Sequence, residues 1–170
     1  MSERFGLLIQ RQLDTWFHQV MVPNLQQKYG DDVEVSVVIL DPARVPDPSD
    51  PCSTGLYFVS VGDETRISAE EGLTDNVDHK LRFVLRTGLP SSEAALRPDL
   101  VEPGDFPWAG AGTYRDYTGG ASGLKEESDW WVFCRVVDHV IHLRTDAALR
   151  PIQACKERRP GWKYLEGEVL

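Results

Sequence analysis

Near the start of the chain, Phe5, Ile9, Leu13, Trp16 and Val20 recur at helical spacing, and Leu8, Phe17 and Met21 widen the stripe. That width is what a helix lying on a core requires. Ser2 is placed to cap this helix and Glu3 falls in its first turn. Pro23 ends or kinks it, and Gly30 closes the polar extension 24–29. Two strands follow. Residues 33–40 place Val33, Val35, Val37 and Ile39 on alternate positions, and 55–61 alternate Leu56, Phe58 and Ser60 against Tyr57, Val59 and Val61. Four prolines and three aspartates between them, in 41–54, predict a surface loop.

A second helix opens at Thr74. Asp75 and Asp78 fill its first turn, Val77, Leu81, Val84 and Leu85 form its apolar side, Arg82 and Arg86 lie near its end, and Gly88 and Pro90 stop it. Residues 89–112 read as irregular. Residues 113–121 read as one strand whose glycines give up side chains where something packs close. The third helix, 126–143, turns Trp130, Phe133, Val137, Val140 and Ile141 inward and Arg135, Asp138, His139 and His142 outward. Beyond Thr145 the pattern is mixed: the segment extends the helix until Pro151, Pro160 and Gly161, which are read as breaks. The adjacent Trp130 and Trp131 cannot both face the core from one helix, so one ring is expected to meet a neighbouring subunit.

At 170 residues the chain is of single-domain length and long enough to build a core without a metal or disulfide staple. With 41% hydrophobic and 26% charged residues it reads as folded rather than disordered. No apolar run approaches the ~20 residues of a membrane span. The opening Met-Ser-Glu-Arg-Phe lacks the basic-then-apolar order of a signal peptide, so a cytoplasmic location is expected. Three cysteines, Cys52, Cys134 and Cys155, without metal-binding spacing fit reduced thiols there. The net charge is −9 and uneven: between Asp31 and Asp78 twelve acids face only Arg44 and Arg66. That sign disfavours a nucleic-acid partner and offers a face for a basic protein.

Several residue groups invite chemistry. His139 and His142 stand one helical turn apart, a spacing that can share a metal, but no third ligand appears at a diagnostic distance. Ser122, in Gly120-Ala121-Ser122-Gly123-Leu124, sits at a strand-to-helix junction where a hydrolase elbow places its nucleophile. The elbow needs glycine where Leu124 stands. Small residues for a tight turn are the plainer reading, and the helix start can also hold an anionic group. Lys80, Arg82 and Arg86 form a basic patch that reads as solvated and suited to its helix end.

Three ordered segments resemble the haem-degrading-domain (DUF336, GlcG-like) superfamily, and within it the UPF0303 group. They are Asp75…Lys80…Val84…Arg86…Gly88…Ser91-Ser92, then Gly104-x-Phe106-Pro107, then Ser122-Gly123-Leu124…Glu127…Asp129. The resemblance covers roughly residues 1–143. It implies a profilin-like α/β (α+β) fold with about five antiparallel strands flanked by helices, a habit of homo-oligomers, and in some relatives a bound haem or corrinoid. The domain is accordingly drawn as 1–146, with 147–170 as a tail. Lys80, Gly104, Phe106, Pro107, Ser122 and Gly123 are the residues such a pocket would use. The family's two histidines are replaced, by Glu102 before the G-x-F-P segment and by Trp130 after the motif aspartate, so no cofactor is expected and haem only weakly.

Two functional classes follow. One is a cytosolic, non-enzymatic homo-oligomeric scaffold whose acidic face engages a basic protein. The other is a small-molecule binding protein, of haem or tetrapyrrole type, whose pocket lies near Lys80 and Ser122.

Overall fold

The computed structural model describes residues 3–62, 73–106 and 108–158. Ser2, Pro107, the acids at 63, 64, 70 and 71, and the end of the tail with Pro160 and Gly161 lie outside the described residues. The chain forms α1 (Glu3–Trp16), a π-helical turn (Phe17–Met21), α2 (Val22–Tyr29), β1 (Val35–Leu40), β2 (Gly55–Val61), α3 (Leu73–Thr87), β3 (Ala111–Tyr114), β4 (Tyr117–Ser122) and α4 (Glu126–Arg158). The strands form one antiparallel sheet in the order β2-β1-β4-β3, four strands among the described residues rather than about five.

β1 is central and buried on both faces. Its Val35, Val37 and Ile39 join the larger core with Ile9, Leu13 and Phe17 of the first helical segment and Phe133, Val137 and Val140 of α4. Val38 and Leu40 point the other way, onto Val77, Leu81 and Val84 of α3. Alternation along one strand thus separates two cores, and the sheet lies between α3 and the other helices. Side chains close both sheet edges. The Gln10 amide donates to the Phe58 carbonyl at 2.6 Å and accepts from its N–H at 3.2 Å, while Ser91 Oγ accepts from Ala111 N at 3.0 Å.

Three local expectations are corrected. Pro23 does not end the first helix; the chain passes through the π turn, where Val22 N donates five residues back to Phe17 O, and α2 continues. The wider turn accommodates a residue that lacks an amide hydrogen. Pro151 likewise does not break α4, which runs without interruption past 146 to Arg158. The single strand expected over 113–121 is a hairpin, turned at Arg115 and Asp116, both at positive φ as a type I′ turn requires. Its glycines do mark close packing: a side chain at Gly119 would begin 2.3 Å from Val38 O and 2.6 Å from a Phe133 ring carbon. Among the described residues no helix is long and apolar enough to cross a membrane.

Candidate functional site

Lys80 belongs to the stripe of α3 that faces the sheet, with Val77 and Val84 one turn away on either side and Leu81 next to it. It is 2% exposed, and its Nζ donates to Asp129 Oδ2 at 3.0 Å, to the Ala121 carbonyl at 3.0 Å and to Ser122 Oγ at 3.4 Å. Asp129, equally buried, uses its other oxygen to accept from Leu124 N at 2.9 Å. One carboxylate therefore neutralises the ammonium and ties down the chain entering α4. Gly123 makes that entry feasible: its φ is +132°, and a side chain there would begin 2.2 Å from Glu34 O.

A cleft of about 730 Å³ opens above this pair. Lys80, Ser122 and Asp129 form its floor, Phe106 and Trp108 an aromatic wall with ring centroids 6.1 Å apart, and Leu124, Lys125 and Ser128 the side at the start of α4. Four of the six residues singled out from the sequence, Lys80, Phe106, Ser122 and Gly123, thus line one cavity. Gly104 does not line it. It is exposed, with the Arg82 guanidinium 3.4 Å from where a side chain would begin. Trp108, Lys125 and Ser128 carried no motif and were missed. Asp129 belonged to a motif but was not placed at the site.

The basic patch dissolves on folding. Lys80 is interior. Arg82 pairs with Asp78 at 3.1 Å and donates to the Ser49 carbonyl at 2.8 Å. Arg86 pairs with Asp105 and Glu102 and donates to the Leu100 carbonyl at 2.9 Å, tying the segment before Phe106 to α3. Asp78 is buried, accepting from Cys52 N as well, so it does not belong to an acidic surface.

The Lys80 ammonium is held by the Asp129 carboxylate, the Ala121 carbonyl and Ser122 Oγ together. The described lining of the cleft includes no His, Cys, Met or Tyr, the side chains that ligate haem iron. Cys134 lies elsewhere, half-buried, and burial followed by the nearby Asp138 pushes its thiol up to about 11, so it stays protonated at neutral pH.

His139 departs from the solvated position expected of it. Its ring stacks on Trp16 with centroids 4.0 Å apart and planes 13° from parallel. Burial first, then His142 and Arg135, hold its pKa below the ordinary histidine value. The folded state favours the neutral ring, so this contribution to stability is complete above pH ~6.5 and disappears as pH falls through the lower folded value. The urea midpoint is expected to drop between pH 7.5 and 5, and less steeply in His139→Phe, which keeps the stack without the proton. Equal slopes in the two proteins would contradict this account. No family model, curated protein or solved structure matches the chain.

Proposed function

We propose that this protein binds a small molecule in the cleft above Lys80 and Asp129. The observation that carries the reading is the convergence, in one cavity, of a neutralised buried ion pair, a serine hydroxyl and an aromatic wall drawn from three separate segments. Apolar walls with a few placed polar groups are the usual make-up of a ligand pocket. The order β2-β1-β4-β3 between helices supports a profilin-like topology, and with it the resemblance to the GlcG-like domains.

A fragment screen by thermal shift is expected to raise the melting temperature with flat aromatic compounds, and Trp108→Ala to abolish those shifts. Titrated hemin is expected to leave the Soret band of free hemin unchanged. Fragment hits that survive Trp108→Ala, or a saturable Soret shift at one haem per chain, would defeat this reading.

A second observation favours self-association, the basis of the scaffold reading. Trp131 is 47% exposed and Val20 46%, and both border a groove of about 520 Å³ with Trp16, Met21, Asn24 and Arg135. Trp130 instead packs against Phe133 and Tyr114, so the tandem pair is divided between core and surface. Sedimentation at micromolar concentration is expected to give a species larger than the 19.1 kDa chain, and Trp131→Glu to return the single-chain mass. A single-chain mass for the parent protein would remove the scaffold. The acidic face has weaker support: β1 separates Asp31 and Asp32 from Asp41, Asp47 and Asp50.

A further inference from the structure

Resting on the cleft as a ligand site, we infer that its ligand is a flat aromatic monocarboxylate, with the carboxylate against Ser122 and the start of α4 and the ring system against Phe106 and Trp108. Ser122 is 5% exposed and lines the cleft. A lysine ammonium only donates, so Ser122 Oγ is the acceptor in its contact with Lys80. Its own O–H meets no acceptor among the described residues. A hydroxyl so deeply buried with an unspent proton calls for an acceptor from the ligand. The backbone at the helix start agrees. Leu124 N is taken by Asp129, and the Ser128 and Asp129 amides by the Lys125 carbonyl, while the Lys125 and Glu127 amides meet no acceptor among the described residues. Both of those residues line the cleft.

Charge selects the number of negative charges. Lys80 and Asp129 cancel at the floor. At the mouth, Lys125 forms no ion pair with a described residue, and Glu127 stands beside it. The helix dipole and Lys125 favour an anion, whereas the Glu127 carboxylate opposes a second negative charge. One negative charge on a planar acceptor group suits this balance better than a phosphate dianion. The aromatic wall and the cavity volume leave room for a body of two fused rings.

The test is calorimetric titration of the full chain with 2-naphthoate, 2-naphthamide, 2-naphthyl phosphate and 2-methylnaphthalene, which share one ring system. The naphthoate is expected to bind at least about ten-fold more tightly than the other three, the factor that about 1.4 kcal/mol of charge-assisted hydrogen bonding provides. Ser122→Ala is expected to lose about that factor. Lys125→Gln, a change at an exposed position, is expected to weaken naphthoate several-fold while leaving methylnaphthalene unaffected. If the amide, phosphate or hydrocarbon binds as well as the acid, or if both variants keep the parent's preference, the carboxylate inference falls and the cleft stands. If none of the four binds, the carboxylate inference falls, and fragment hits lost in Trp108→Ala then decide whether the cleft falls with it.

Discussion

Lys80→Met is expected to destabilise the fold by about 3–5 kcal/mol, the cost of leaving a buried charge without its partner. Asp129 is about as buried as Lys80, so the carboxylate is left largely desolvated and unpaired with this ammonium once Lys80 is replaced. Asp129→Leu is expected to cost a similar amount, because it also releases the Leu124 amide. The informative protein is the double variant Lys80→Met/Asp129→Leu. It removes both charges and is expected to be more stable than either single variant, since a well-packed apolar pair replaces an ion pair that had to be desolvated. Guanidinium denaturation at pH 7 measures all four proteins. A Lys80→Met variant as stable as the parent would show that the pair is not sealed from solvent, and the electrostatic account of the cleft floor would fail with it.

Gly123→Ala is expected to be comparably severe, roughly 2–6 kcal/mol, from two additive penalties. A φ of +132° lies where L side chains are strained, a cost of about 1–3 kcal/mol. The new methyl group would also meet the Glu34 carbonyl at 2.2 Å and Val35 Cα at 2.8 Å, both backbone atoms of the strand entry, adding overpacking of about 1–3 kcal/mol. Relief requires α4 to move away from β1, which would also separate Asp129 from Lys80. The variant should therefore lose stability and cleft binding together. Normal denaturation with Gly123→Ala would mean that the entry to α4 has more freedom than its geometry allows.

Much of this fold is legible in the chain because its signals are local. The helix of Leu73–Thr87 has a stripe at Val77, Leu81 and Val84 and a stop at Gly88, where φ is +72°. The strand Gly55–Val61 alternates as its sequence does. The hairpin of β3 and β4 was hidden for two reasons. Its turn uses Arg115-Asp116 rather than the Asn-Gly or Asp-Gly that usually marks a type I′ turn. Its β4 strand replaces the expected side chains with glycines fitted beneath Phe133 and against Val38. Pro23 does not end its helix and Pro151 does not break its own, because a missing amide is a local defect, whereas the helices around it are held by their packed faces.

The sequence by itself determined the helical or extended character of most segments and the buried stripe of α3, since periodicity depends only on residues within a few turns of one another. It also marked Lys80, Phe106 and the pair Ser122-Gly123, through three short motifs. Only the tertiary structure decided what those residues are. Lys80 lies on the same stripe as Val77 and Val84, yet an isolated helix gives no reason to bury a charge. The reason is Asp129, 49 residues away, brought within 3.0 Å when the start of α4 folds against the end of β4. Desolvation and ion pairing depend on distance in space, and the chain records only distance along itself. For that reason the cleft's floor appeared only with the packed fold.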